Sequence, residues 1–159
     1  MNLMRSLIFV FFIVVLIFTA GCTDSSPPLS ATAPSASQLA ISSNSTVGRV
    51  EVYHFHGNQQ CVSCIAVGDL AEKTVNANFK AELASGRVVF AHVNYDLPEN
   101  TALATKYGVT GSSLWLGIYD ANGFHRQQDM DVWYMTGDKE KYKEYLASVI
   151  TRRLNGDLS

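Results

Sequence analysis

The sequence predicts an α/β domain in which a mixed β-sheet is flanked by helices on both faces. Segments typical of strands are interleaved with segments whose apolar residues recur at helical spacing, which gives the order β-α-β-α-β-β-α over residues 49–154. The two strand-like segments near the end are separated by a short turn, as in a hairpin. With 159 residues in all, the chain has room for one ordinary domain and additional segments.

The first half of this order consists of a strand, a long helix and a second strand. From residue 49 onward, Val50 and Val52 belong to a strand of mixed burial. Residues 64–84 carry apolar side chains at helical spacing, and Gly86 follows as a stop signal. Residues 88–94 (VVFAHVN) form the second predicted strand.

The second half is predicted to contain a short helix, a β-hairpin and a closing helix. These elements cover residues 99–107, 113–119, 124–128 and 139–153. Gly108 is a natural C-terminal cap for the short helix. Residues 120–123 (DANG) are typical of a hairpin turn, and Asp138 is a suitable N-cap for the last helix.

The composition excludes some classes of function. With 12 basic and 14 acidic side chains, the chain has no basic field for nucleic acid, and we expect no nucleic-acid partner. The balance is also not acidic enough to indicate a disordered chain. The hydrophobic fraction of 47% is inflated by the first twenty residues, but the remainder still suffices for a small core.

The first 21 residues are predicted to form a lipoprotein-type signal peptide. An apolar run over residues 7–20 is too short for a typical membrane span of about 20 residues. Residues 19–22 (TAGC) resemble the lipobox of prokaryotic lipoproteins, although Thr19 stands where Leu is usual. The resemblance implies that Cys22 is lipidated and becomes the mature N-terminus, at the outer face of the cytoplasmic membrane. An uncleaved anchor helix and a simple secretory signal are the alternatives, and both also place the domain outside the cytosol.

Residues 22–48 are predicted to form the lipidated cysteine and a flexible tether. Ser, Thr, Ala and Pro dominate residues 23–47, which contain a single charge and three of the four prolines. Such a composition cannot bury enough apolar surface to fold. A flexible segment of this length has a typical reach of about 25–30 Å.

Cys61 and Cys64 are the candidate catalytic residues. The Cys61-Val62-Ser63-Cys64 motif falls where the first strand has ended and the long helix begins. The N-terminus of a helix offers free N–H groups and a positive dipole end, which stabilise a thiolate. Outside the cytosol, such a pair can cycle between dithiol and disulfide. Cys61 would be the attacking thiolate, and Cys64 would be the resolving thiol.

Other interpretations of the cysteine pair remain open. A structural zinc site usually needs four ligands, and the domain has no second cysteine pair. A soft ion such as Cu(I) could instead be held by Cys61, Cys64 and His56. The third interpretation is a binding module in which the disulfide is merely structural.

The histidines are candidates for proton handling or metal binding. His54 and His56 alternate along the first strand, so they share one face near Cys61. Either could accept a proton from Cys61. The alternative is that both residues only pack. For His92 and His125 we expect structural or surface roles.

At the level of the superfamily, the domain resembles the thioredoxin fold across residues 49–154. The matching positions are Tyr53, Phe55, Cys61, Cys64, the segment Tyr107-Gly108-Val109 with Gly111, and Asn122-Gly123. The resemblance implies that the chain passes electrons through a redox-active disulfide and needs no other cofactor. We expect the redox partner to lie in or at the membrane, since such a partner would explain the tether.

A narrower resemblance rests on a shorter set of residues. They are Phe55-His56-Gly57-Asn58 before the Cys61-x-x-Cys64 motif, with Val93-Asn94 and Pro98-Glu99-Asn100 later in the chain. This set is similar to a small thioredoxin-like family known as nitrophenyl-compound nitroreductase subunits (ArsF-like), which is associated with membrane permeases. It implies a subunit of a reductase system related to nitroaromatic or arsenical compounds.

The chain departs from the thioredoxin pattern at Ser113. Thioredoxins carry a cis-proline near this position, facing the cysteine pair, whereas the sole proline of this domain is Pro98. A cis peptide before a non-proline residue costs about 2.5–4 kcal/mol, so we expect a trans bond at Ser113. The substitution alters the groove beside the cysteines and favours either a dedicated partner or a bound metal.

Overall fold

A four-stranded mixed sheet forms the centre of the domain in a computed structural model that describes residues 46–159. The elements are β1 (Arg49–His56), α1 (Val62–Asn78), α2 (Lys80–Ser85), β2 (Val88–Asn94), α3 (Thr101–Tyr107), β3 (Ser113–Asp120), β4 (Gly123–Asp129) and α4 (Lys139–Leu154). Short 3₁₀ turns cover Pro98–Asn100 and Asp131–Met135. The predicted signal peptide, Cys22 and most of the predicted tether lie outside the described residues.

The strands are arranged in the order β2-β1-β3-β4. β1 is parallel to β2 and antiparallel to β3, and β3 pairs with β4 in an antiparallel hairpin. Helices cover both faces, so the predicted fold class, a mixed sheet in the order β-α-β-α-β-β-α, is confirmed at the level of architecture. This topology is thioredoxin-like. It places the C-terminal ends of β1 and β2 and the start of β3 at the same end of the sheet.

One face of the sheet carries the main core beneath α1 and α4. Val50 and Val52 of β1 point to this face because residues two apart in a strand share a side. The helices contribute apolar residues at helical spacing: Val67, Ala71 and Val75 from α1, and Tyr142, Leu146, Val149 and Ile150 from α4. The Tyr142 hydroxyl donates to the Val67 carbonyl at 2.8 Å, so the buried phenol is satisfied and the two helices are linked.

The other face carries a smaller aromatic core beneath α3. Tyr53 and Phe55 of β1 pack there with Val93 and Tyr107. The Tyr107 hydroxyl donates to the buried carboxylate of Glu51 at 2.6 Å. Burial and this hydrogen bond raise the pKa of Tyr107, so the phenol stays a donor. Because successive side chains of β1 point to opposite faces of the sheet, Val52 and His54 lie on the face opposite Tyr53 and Phe55.

The predicted helix over residues 64–84 is two helices in the structure. α1 starts at residue 62 and stops before Phe79, whose backbone leaves the helical conformation at φ −125° and ψ 37°. The side chain of Phe79 is buried in the main core, and α2 follows as a short separate helix. Gly86 ends α2 in the left-handed conformation at φ 73°, which is the stop that the sequence predicts.

The remaining boundaries follow local sequence signals. Gly108 ends α3 at φ 71°, and Asp138 caps α4 by accepting a hydrogen bond from the Lys141 backbone N–H at 3.1 Å. Val47, in the last part of the predicted tether, is buried in the main core, so the packed domain includes it. Among the helices of residues 46–159, none is long and apolar enough to cross a membrane.

Candidate functional site

The cysteine pair occupies the first turn of α1. Cys61 is the N-cap and forms a disulfide with Cys64, and their Cα atoms are 5.0 Å apart. The Cys64 backbone N–H lies 3.1 Å from Cys61 Sγ, which accepts it. Cys61 is exposed, whereas Cys64 is half-buried. Both predicted catalytic residues therefore lie together, and Cys61 is the more exposed of the two.

The surroundings of Cys61 favour a negatively charged sulfur. No acidic residue lies in the first turn of α1, so nothing in that turn opposes the positive end of the helix dipole. When the disulfide is reduced, a Cys61 thiolate can accept hydrogen bonds from the free N–H groups of this turn. The 17-residue length of α1 gives the dipole its usual strength at the terminus.

The loop before Cys61 is held by the turn that follows β2. The Asn58 backbone N–H donates to Asp96 Oδ2 at 2.7 Å, and Asn94 Nδ2 donates to Asn58 Oδ1 at 2.8 Å. Asn100 Nδ2 donates to the Asn94 carbonyl at 2.9 Å. Asn58, Asn94 and Asn100 are among the residues that carry the narrower resemblance, and the structure brings them together. Their shared task is to fix the position of the loop that leads to Cys61.

His54 and His56 share one face of β1, as the alternation predicts. Their rings are stacked, with centroids 5.5 Å apart and an interplanar angle of 27°. His54 is 1% exposed, and its ring packs directly against Gly68 of α1. A Cβ atom at Gly68 would collide with that ring, so only glycine lets α1 lie this close to β1. His56 is partly exposed, and its Nδ1 lies 2.9 Å from the Gly57 carbonyl.

His92 belongs to the same cluster, although the sequence predicts only a structural or surface role for it. The parallel register pairs His54 with His92, and the two Nδ1 atoms are 3.0 Å apart. On the other side of the His92 ring, Nε2 lies 3.5 Å from Glu72 Oε2 of α1. The sequence does contain a clue to this contact. His54 and His92 are each the third residue from the end of their strand, and the two strands pair in parallel.

The environment of His54 keeps its ring neutral. Burial is the largest cause that lowers its pKa, followed by the neighbouring rings of His92 and His56, and together they bring it to about 4. The Cys64 backbone and the Asp69 carboxylate act in the opposite direction but are weaker. At neutral pH, His54 therefore offers uncharged nitrogen atoms beneath the cysteine-bearing turn.

Ser113 lies at the start of β3, paired with Phe55. Its side chain is buried, donates to the Gly111 carbonyl at 2.8 Å and accepts from Trp115 Nε1 at 3.0 Å. The peptide bond before it is trans. Because Ser113 and Trp115 share a face of β3, the hydroxyl lies on the α3 side of the sheet, opposite the histidines. Its hydrogen bonds indicate a structural contribution.

The alternative metal site is not supported. In the part of the chain that the structure describes, no three or more His, Cys, Asp or Glu side chains are grouped so that they could hold a metal ion. Cys61 and Cys64 are joined to each other, and His56 Nδ1 is directed at the Gly57 carbonyl. The arrangement of these three residues therefore does not support a Cu(I) site made of Cys61, Cys64 and His56. His125, on β4, pairs with Asp120 at 3.1 Å, in keeping with its expected surface role.

Comparisons with known proteins give matches only among solved structures. No family model and no curated protein matches the chain. A crystal structure of the Trx4 domain of ERdj5 is 16% identical, covers 69% of this chain and 82% of that chain, and has a TM-score of 0.48. The solution structure of a thioredoxin from Thermus thermophilus is 19% identical, covers 67% of this chain and 77% of that chain, and has a TM-score of 0.42. The strand order, the strand directions and the cysteine pair at the start of α1 are those of a thioredoxin-like fold.

The lowered pKa of His54 predicts a specific dependence of stability on pH. Between its ordinary value of 6.5 and the folded value of about 4, the unfolded chain binds a proton that the folded chain does not. Stability is therefore full above pH 6.5 and falls as the pH drops through this window, by about 2–3 kcal/mol. We expect His54→Asn to lose this part of the pH dependence.

Urea unfolding at about pH 7 and about pH 4.5 measures the difference. Gln59→Asn, at an exposed position without a titratable group, is the control and should leave the pH dependence of the free energy of unfolding unchanged. If the free energy of unfolding changes equally with pH in the native chain and in His54→Asn, then His54 is not held neutral by the fold.

Proposed function

We propose that this chain is a thiol–disulfide redox protein that passes electrons through Cys61 and Cys64 at the outer face of the cytoplasmic membrane. The observation that carries the proposal is the disulfide at the start of α1, in which Cys61 is the exposed N-cap and Cys64 is half-buried. This asymmetry suits an attacking thiolate and a protected resolving thiol.

The chemistry follows from the two sulfur positions. In the dithiol form, the Cys61 thiolate attacks a disulfide of the partner, and one partner sulfur leaves with the electron pair of the broken bond. Cys64, having lost its proton, then attacks Cys61 Sγ, and the second partner sulfur leaves with the next electron pair. The partner disulfide is thereby reduced to two thiolates, and the Cys61–Cys64 disulfide is formed. With a reducing partner, the same steps run in reverse.

Exposed apolar side chains beside the cysteines favour a protein partner. Val62, between the two cysteines, is 86% exposed, and Ile65, directly after them, is 46% exposed. Large apolar side chains in such positions lose unfavourable contact with water when a partner covers them. A protein disulfide that docks over this turn would bury both residues while it meets Cys61.

The proposed location places that partner in or at the membrane. The sequence of residues 19–22 supports lipidation of Cys22, and the segment that follows supports a reach of about 25–30 Å. A tether of this length keeps the domain close to the membrane and raises the effective concentration of membrane proteins around it.

The narrower resemblance supports a more specific assignment as a subunit of a reductase system. The loop formed by Gly57 and Asn58, together with Asn94 and Asn100, belongs to the set of residues that carries that resemblance. In this assignment the cysteine pair supplies electrons to an associated reductase component, and the end acceptor is a nitroaromatic or arsenical compound.

The two cysteines are expected to behave differently when each is replaced. In the reduced full-length chain with glutathione disulfide, Cys64→Ser should accumulate a stable mixed disulfide at Cys61, because the resolving thiol is missing. Cys61→Ser should form at least about tenfold less adduct in the same time, because Cys64 is half-buried and lacks the N-cap position. Mass spectrometry of acid-quenched samples measures both adducts. Equal adduct formation in the two variants would contradict the assignment of roles.

The anchor is tested by replacing Cys22. In a bacterial host, Cys22→Ser should move the chain from the membrane fraction to the soluble fraction, or leave it as an unprocessed precursor, because no lipid can be attached. Cys61→Ser is the matched control and should stay in the membrane fraction with the mass of the lipidated chain. If Cys22→Ser remains in the membrane with the same mass as the native chain, Cys22 is not the anchor.

A further inference from the structure

We propose that two copies of this chain pair through the outer edges of β2, in antiparallel orientation, and so join their two sheets into one continuous sheet. The inference goes beyond the redox function and does not depend on it, because it concerns a side of the sheet that the cysteine pair does not use.

The first observation is that the outer edge of β2 is open and apolar. β2 ends the strand order, and no strand of residues 46–159 pairs with its outer side. Val89, Phe90 and Ala91 are only partly buried there. Natural edge strands are usually protected by charged side chains, proline or a bulge, whereas β2 has no Asp, Glu, Lys, Arg or Pro and pairs with β1 in unbroken register. The other edge strand, β4, carries Arg126 and other polar side chains.

The second observation is the direction of the main-chain groups along β2. The Val50 N–H donates to the Arg87 carbonyl at 2.8 Å. Past the other end of β2, the Tyr95 N–H donates to the His56 carbonyl at 2.9 Å. The odd-numbered residues of this segment are therefore bonded toward β1, because main-chain groups alternate in direction along a strand. The outward groups belong to the residues with even numbers: Val88, Phe90, His92 and Asn94. A second strand can therefore bond along this edge.

The third observation is that β2 is complementary to itself. We place the two-fold axis at Ala91. Phe90 then lies opposite His92 of the second copy, and on the other face Val89 lies opposite Val93 of the second copy. Within one chain the Phe90 and His92 rings already pack edge to face, with centroids 5.1 Å apart. The second copy continues this row of rings, and the other face receives apolar side chains. A two-fold interface requires such self-complementarity.

Charges at the two ends of the strand favour a second copy over other occupants. In the same register, Arg87 lies opposite Tyr95 of the second copy and one residue from Asp96 of the second copy. Arg87 is exposed and has no ion pair within residues 46–159. A guanidinium is attracted both to a carboxylate and to the face of an aromatic ring. The symmetry repeats this contact at the other end of the strand.

The pairing leaves both redox sites accessible. Cys61 lies beyond the C-terminal end of β1, whereas the proposed contact runs along the side of β2. Antiparallel pairing directs the two cysteine-bearing turns to opposite ends of the joined sheet. Each copy can therefore meet its own redox partner.

Cross-linking at the two-fold axis tests the pairing. Directly opposite residues at a non-hydrogen-bonded position of antiparallel strands have Cα atoms about 4.5 Å apart, within reach of a disulfide. Ala91→Cys is introduced into the full-length chain in which Cys61 and Cys64 are replaced by serine, so that neither can exchange with the new thiol. After mild oxidation in detergent, we expect most of the chain to migrate as a covalent dimer in the absence of reductant. Gln128→Cys, at an exposed position of β4, is the matched control and should give at least about tenfold less dimer.

Light scattering of the full-length chain in detergent gives a second measurement. The native chain should have twice the mass of one copy. Ala91→Lys places two ammonium groups opposite each other at the axis, so its dimer should dissociate at a concentration at least about tenfold higher. Gln128→Lys carries the same change of charge at the other edge of the sheet and should stay dimeric.

A native chain with the mass of one copy, together with no excess cross-linking of Ala91→Cys over Gln128→Cys, would overturn the pairing. A dimer that is neither cross-linked by Ala91→Cys nor weakened by Ala91→Lys is built on another surface and overturns it too. Slow hydrogen exchange of the outward β2 amides in a chain with the mass of one copy would show that residues 23–45 cover this edge instead. If Ala91→Lys does not fold, the native mass and the Ala91→Cys cross-link decide. None of these results bears on the proposed redox function.

Discussion

The contact between the His54 ring and Gly68 sets how closely α1 approaches the sheet, and the geometry of the cysteine pair depends on it. Because Gly68 has no side chain, the buried ring fits between β1 and the second turn of the helix. The first turn, with Cys61 as its N-cap, then projects over the edge where β1 and β2 end. A larger residue at either position would displace the start of α1 and the disulfide with it.

This arrangement divides the site into an open half and a closed half. Cys61 faces solvent together with Val62 and has the free N–H groups of the helix terminus beside it. Cys64 is half-buried, and the uncharged His54 ring packs against the next turn of the helix, at Gly68. The two sulfurs have different requirements, since Cys61 must be a thiolate in contact with a partner, whereas Cys64 must reach Cys61 and needs no contact with the partner. The helix terminus meets the first requirement, and the partial burial of Cys64, one turn into the helix, meets the second.

The elements could be predicted well from the sequence because their signals are local. The strand at residues 88–94, the caps at Gly86 and Gly108 and the N-cap Asp138 all follow from short stretches of chain. The break at Phe79 was not predicted, because periodicity continues through it and only tertiary burial explains it. The pairing of His54 with His92 was also missed, since alternation gives the face of a strand but not its register with a strand 38 residues away. The part of the site that depends on register, including Glu72, therefore could not be predicted, whereas Cys61 and Cys64 could.

The reduction potential of the Cys61–Cys64 couple distinguishes a redox pair from a structural disulfide. The full-length chain is equilibrated with dithiothreitol or glutathione redox buffers, and its free thiols are then trapped by alkylation. The fraction of dithiol is measured at each redox potential of the buffer. A redox protein requires a reversible two-electron couple with a potential above about −300 mV, in the range of exchange-competent pairs. A potential well below about −300 mV, with a disulfide that resists exchange, would show that the pair is structural and would contradict the redox function.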